Sequence, residues 1–126
     1  MCNRFVKFHH LHNYVTNVLG MDYLATGHYA RLHQSHGSSN PVLVKGVDPI
    51  KDQSYFLAMT RAQDLQGVMF PLGQLYKSQV RELAAEGLKG LRVLNKSESM
   101  GICFIGKRHL PNFLGQYINL TPGRFC

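Results

Sequence analysis

Cys103 sits in the run Ser99-Met100-Gly101-Ile102-Cys103-Phe104-Ile105-Gly106-Lys107-Arg108, a thiol between two glycines with two cations behind it. The thiolate is the reactive form of cysteine, and positive charge from Lys107, Arg108 and His109 would favour it. The same thiol would also pack as a small hydrophobe, a common fate of unpaired cysteine, so these residues alone leave both readings open. In Ala25-Thr26-Gly27-His28-Tyr29-Ala30-Arg31, Gly27 would let a phosphate or base approach the backbone and His28 would touch it. A routine β-turn with a surface histidine explains those residues equally well. In Lys51-Asp52-Gln53-Ser54-Tyr55-Phe56, Lys51 and Gln53 suit polar contacts to a nucleic-acid backbone, whereas Asp52 suits a helix N-cap; the two roles are compatible. His9 and His12 lie one helical turn apart, but no acidic or thiol ligand is near them in sequence, which argues against a metal.

Apolar residues from Phe5 to Leu19 recur at helical spacing, so residues 4–19 read as an amphipathic helix closed by Gly20. Residues 22–26 read as a strand ending near Gly27, with no obvious partner strand upstream. In α/β layers, ligands gather at the carboxyl ends of such strands. Residues 28–33 and 42–46 read as a hairpin around the loop Ser35–Pro41, and Asp48-Pro49 turns the chain into a further helix. Thr60 and Gln63 fit a capping box opening a short helix to about Gly67. Phe70-Pro71-Leu72-Gly73 breaks the chain. Residues 77–86 form a helix with Val80, Leu83 and Ala84 on one face. Residues 91–94 and Ile102–Ile105 read as short strands, and His109–Tyr117 as a final helix with Phe113, Leu114 and Tyr117 inward.

With 126 residues and 44% hydrophobic content, the chain can bury a core and is not of disordered type. No apolar run reaches membrane-span length, and no signal-peptide pattern stands at the N-terminus, so no membrane partner is expected. Fourteen Lys and Arg against seven Asp and Glu give a net charge of +7, which favours a polyanionic partner. The three cysteines cannot all pair and form no CxxC motif, as suits a reducing compartment.

Taken together, Cys2-Asn-Arg-Phe-Val-Lys-Phe8, the ATGHYAR stretch, the G-x-D-x-x-K-D-Q-S-Y-F-L pattern of 46–57, FPLG and KSESMGICFIGKR resemble the tRNA-uridine 2-sulfurtransferases, also called tRNA 2-thiouridylases. The resemblance covers nearly the whole chain. Ser99 and Met100 look like the mitochondrial branch, implying the mitochondrial matrix, with the bacterial cytoplasm as the alternative. The resemblance implies an α/β to α+β fold: residues 1–33 as the tail of an adenine-nucleotide α-hydrolase-like (Rossmann-like) layer, and 34–126 as a mostly helical tRNA-binding domain carrying the persulfide cysteine. It implies a transferase that uses ATP with magnesium to adenylate the wobble uridine of a tRNA. Sulfur then replaces the 2-oxygen, delivered through a protein persulfide. Cys103 would carry that persulfide, and Cys2 would act as the second catalytic cysteine, releasing sulfur through a disulfide with Cys103. Gly27 matches an ATP contact, His28 a tRNA contact, and Lys51, Asp52 and Gln53 a tRNA-contacting triplet. A persulfide-donating protein, a sulfur relay or cysteine desulfurase, is the implied second partner. Cys126 matches no family cysteine.

The sequence departs from the family pattern in two respects. It contains no S-G-G-x-D-S-S phosphate loop, and no C-terminal β-barrel follows Thr121-Pro-Gly-Arg-Phe125. A fragment, inactive by itself, is the corresponding expectation. The rival reading is a basic RNA-binding module without chemistry, which has no need of an activated Cys103.

Overall fold

The computed structural model describes residues 2–34, 37–88, 109–119 and 123. The chain divides into two compact units, Met1–Lys89 and Gly90–Cys126. In the first, Cys2–Leu11 and Tyr14–Val18 are helical, as the apolar spacing predicts, but wound more widely than an α-helix. The Leu19 amide accordingly donates to the carbonyl of Tyr14, five residues back, at 3.1 Å. A repeat set for about 3.6 residues per turn does not stay on one face of a wider winding. Phe8 is fully buried, while Phe5, Leu11, Tyr14, Val18 and Leu19 are exposed. The helical stretch ends at Gly20, whose φ of +66° suits glycine.

Strand β1, Leu24–Ala25, follows. It runs parallel to β4, Val68–Met69, pairing Leu24 with Val68 and Ala25 with Met69. The strand therefore finds its neighbour downstream, at the far end of a long crossover of the kind parallel pairing requires. That crossover contains the expected hairpin, β2 (Ala30–Gln34) and β3 (Pro41–Lys45), in register from Ala30 opposite Lys45 to Gln34 opposite Pro41. Beyond it come α1 (Ser54–Leu57) and a 3-10 turn, Ala62–Leu65. The expected capping box is not made: the Thr60 hydroxyl is buried without a partner among the described residues. Arg61 closes this turn instead, with Nε and Nη2 donating to the two Asp64 carboxylate oxygens at 2.7 and 2.8 Å.

A second 3-10 turn, Pro71–Gln74, follows the Phe70-Pro71 break. A Cβ on Gly73 would stand 1.7 Å from the carbonyl oxygen of Ala30, so only glycine lets this turn lie against β2. Helix α2, Lys77–Gly87, matches its expected span, yet buries none of its residues, and Leu83 is exposed. Phe8, Ala30, Leu57, Leu65, Val68 and Phe70 form the core, with Leu24, Leu32 and Leu43 against them. That core joins the first helix, both strand pairs, α1 and the first 3-10 turn. A small mixed α/β arrangement results, in line with the expected coarse class.

In the second unit, α3 spans Leu110–Leu114 and does not continue to Tyr117, which is exposed although its ring lies 5.2 Å from that of Phe113. The expected strands at 91–94 and 102–105, and Cys103, Lys107, Arg108 and Cys126, lie outside the described residues. Among the described residues no helix is long and apolar enough to cross a membrane.

Candidate functional site

The turn from Gly46 to Gln53 is organised by two carboxylates. Asp48 accepts from the amides of Ile50 and Lys51 through Oδ1, at 3.0 and 3.2 Å. Its Oδ2 takes the Lys77 amide at 2.9 Å, capping α2 from 29 residues upstream. The Lys77 amide is the main reason the Asp48 carboxyl lies below the usual range; burial opposes it, and the Ile50 and Lys51 amides add to it. Asp52 does the same for the turn's other side. Its carboxylate accepts the Gly46 amide at 2.8 Å, the Ser54 amide at 3.3 Å and the Ser54 hydroxyl at 2.7 Å. Burial raises its pKa, but these donors outweigh burial and hold it low. Asp52 therefore stays ionised as a local tie just ahead of α1, whose N-cap position falls on Gln53, one residue beyond the one expected from sequence.

Gln53 fastens this turn to the GHYA segment. Its amide donates to the carbonyl of Tyr29 at 2.8 Å, and its Oε1 accepts the Tyr29 amide at 3.0 Å. A Cβ on Gly46 would approach the Tyr29 carbonyl oxygen to 2.8 Å, so glycine permits that close pairing. Two stretches 24 residues apart are thus joined through the Tyr29 backbone. The Lys77 ammonium lies 5.7 Å from the Tyr29 ring centroid.

His28 occupies a niche lined by aromatic rings, with centroids 5.5 Å from Phe8 and 5.6 Å from Phe70. Its Nδ1 lies 2.8 Å from the Thr26 hydroxyl and its Nε2 lies 3.5 Å from the Lys7 ammonium. Burial first, and the Lys7 charge second, lower its pKa from 6.5 to about 4, so the ring is neutral at physiological pH. It is thus a half-buried, structured imidazole rather than a loose surface histidine. Gly27 beside it is exposed, and a Cβ there would only touch Leu72 at an ordinary 3.7 Å. The backbone at the carboxyl end of β1 is open to a ligand, but the position does not demand glycine sterically.

Cys2 is a free, exposed thiol at the start of the first helix. The helix is tied down next to it, where the Asn3 side-chain amide donates to the Phe56 carbonyl at 3.1 Å. Cys103 lies outside the described residues, and no disulfide is present among those described.

His9, the first histidine of the HHLH stretch, faces Asp64 at 3.6 Å beside Arg61. No metal-holding group of His, Cys, Asp or Glu occurs among the described residues. Sequence reasoning missed Lys7, whose place beside His28 depends on how the first helix docks, and the cross-chain role of Asp48. The Asp48-Pro49 turn signal marked the latter position without revealing its distant partner.

Comparison with known proteins gives consistent results. The family model described as tRNA methyl transferase HUP domain matches residues 1–107. The tRNA-specific 2-thiouridylase MnmA of Lactiplantibacillus plantarum is 47% identical over 125 residues, covering 98% of this chain and 32% of that protein. The protein of the same name from Staphylococcus aureus strain JH9 is 46% identical over 123 residues, again 98% of this chain and 32% of its own length. The chain thus spans about a third of the length of the curated relatives it matches. A HUP-type match agrees with the Rossmann-like layer expected for the first part of the sequence, and the parallel β1–β4 pair is compatible with it. On the strength of a match over residues 1–107, the chain belongs to the tRNA methyl transferase HUP domain family.

Proposed function

We propose that this chain serves tRNA 2-thiolation, binding tRNA through the joined segments 27–29 and 51–53 and carrying sulfur on Cys103. The observation that carries the tRNA-binding part is the double hydrogen bond of Gln53 to the Tyr29 backbone, which joins two motifs far apart in sequence. The family description speaks of methyl transfer and the relatives' names of 2-thiouridylation. Cys2 and Cys103 in their motifs favour thiolation, since a persulfide carrier and a releasing thiol are needed for that chemistry.

In this mechanism ATP supplies activation of the uridine 2-oxygen as an adenylate. The open backbone at Gly27 fits the approach of a nucleotide, whereas no residue run in this sequence forms a Gly-rich phosphate loop. Cys103, loaded by a persulfide-donating protein, holds a terminal sulfur as Cys103-S-SH. The Cys2 thiolate attacks the inner sulfur, forming the Cys2–Cys103 disulfide and expelling hydrosulfide. Hydrosulfide displaces AMP from the activated carbon, and a thiol reductant restores both cysteines. Lys51 would hold phosphate, and Gln53 would contact the backbone with its remaining amide hydrogens while Asp52 keeps the turn in shape.

Fluorescence anisotropy with transcribed tRNA tests the binding step on the 126-residue chain. Affinity should fall steeply with salt, with a log–log slope of several units as phosphates are neutralised. Affinity indifferent to salt would overturn the reading. Lacking a phosphate loop, the chain by itself is expected to bind tRNA without forming thiouridine.

A further inference from the structure

Asp48 is a buried carboxylate whose two oxygens hold the backbones of two lysines from different elements. Oδ1 accepts the amide of Lys51 at 3.2 Å and Oδ2 that of Lys77 at 2.9 Å, so one carboxyl group spaces the two residues. The Lys77 amide above all, and the Lys51 ammonium in smaller part, keep this carboxyl ionised against the opposing effect of burial. The start of α2 offers little backbone to an anion, because Asp48 takes the Lys77 amide and the Gln79 side chain takes the Tyr76 amide at 2.9 Å. The Lys77 side chain is placed differently. At the first position of a helix the Cα–Cβ bond tilts past the helix end, and the Lys77 ammonium lies 5.7 Å from the Tyr29 ring centroid. The ring attracts the cation without cancelling its charge, as a carboxylate would. Tyr29 is itself buried and is bonded through its amide and carbonyl to Gln53. Lys77 is therefore fixed at both ends: its backbone on the carboxylate that holds Lys51, its ammonium on the ring of the residue that holds Gln53. Two long cationic stems that start from one carboxyl group suit separate, neighbouring phosphates of a single strand.

We infer that Lys77 contacts an RNA phosphate next to the one taken by Lys51, with Asp48 as the positioning residue that spaces the two lysines. The inference rests on the tRNA-binding part of the proposed function, to which it adds a contact from α2, outside the segments 27–29 and 51–53.

Anisotropy of the whole chain with transcribed tRNA, repeated across salt concentrations, tests the contact. Lys77→Met keeps an apolar stem and should weaken binding roughly 3–10-fold at low salt, with the log–log slope shallower by roughly one. Lys77→Arg should keep the wild-type slope. Lys51→Ala combined with Lys77→Met should make the slope shallower by roughly two, because each lysine meets its own phosphate. A double variant no shallower than either single one overturns the pair of contacts. Asp48→Asn separates positioning from charge. Removing a negative charge beside RNA should by itself tighten binding, whereas loosening the two lysines should weaken it. Weaker binding is expected, and it should vanish in the Lys51→Ala, Lys77→Met background; tighter binding overturns the role of Asp48. Circular dichroism checks that each variant is folded, and the lysine variants decide the phosphate contact whether or not Asp48→Asn folds. Equilibrium dialysis with ATP and magnesium is the control: a Lys77→Met loss confined to ATP assigns the charge to the nucleotide and overturns the RNA contact. If Lys51→Ala lowers the slope while Lys77→Met keeps wild-type affinity and slope, the Lys77 contact is overturned and the tRNA reading stands. A wild type that does not bind tRNA overturns both.

Discussion

His28 shows how a residue's chemistry is set by what surrounds it. Its folded pKa of about 4 lies below the unfolded 6.5, so between these values the unfolded chain binds more protons. Its contribution to stability is therefore complete above pH 6.5 and is lost as pH falls toward 4. Thermal unfolding followed by circular dichroism should show the melting temperature falling over that window, and His28→Phe should flatten the fall. Lys51 and Gln53, two positions apart in sequence, have different expected roles. Lys51→Ala should weaken tRNA binding and make the salt slope shallower by roughly one. Gln53→Ala removes the acceptor for the Tyr29 amide and should cost about 1 kcal/mol of stability in addition to any loss of binding. Denaturant titration of the Gln53 variant checks that loss.

At the scale of elements, Phe8 is the side chain through which the first helix reaches the core, where its ring lies 5.8 Å from that of Phe70. Phe8→Ala should destabilise the first unit by about 3–5 kcal/mol and release His28 from its niche. Gly73→Ala should cost about 1–3 kcal/mol, because the second 3-10 turn must move off the Ala30 carbonyl. Denaturant midpoints check both. The hairpin, the Asp48-Pro49 turn, α2 and the stop at Gly20 were legible in sequence because each is set by local chemistry: strand runs flanking a polar loop, a turn-forming pair, helical spacing, a glycine stop. The wide winding of the first helix was not, since no local signal distinguishes it from an α-helix. The partner of β1 was not legible either, because parallel pairing across more than 40 residues leaves no short-range trace. Thr60 and Gln63 matched a capping pattern, yet the Arg61–Asp64 pair closed the turn instead.

For the whole molecule, a charge of +7 and a family match over residues 1–107 point to a polyanionic partner and a nucleotide-type layer. Of the expected site residues, Gln53 is joined to the segment that holds Gly27 and His28, a link that depends on long-range pairing with Tyr29. Cys2 is exposed and not in a disulfide. Sulfur transfer to Cys103 tests the central claim most directly. The chain is incubated with a cysteine desulfurase and cysteine, and the persulfide is mapped by mass spectrometry of trapped peptides. Wild type and Cys2→Ser should each gain one sulfur on Cys103, and Cys103→Ser should gain none. A chain that takes up no sulfur, or that loads Cys126 as readily as Cys103, would contradict the account.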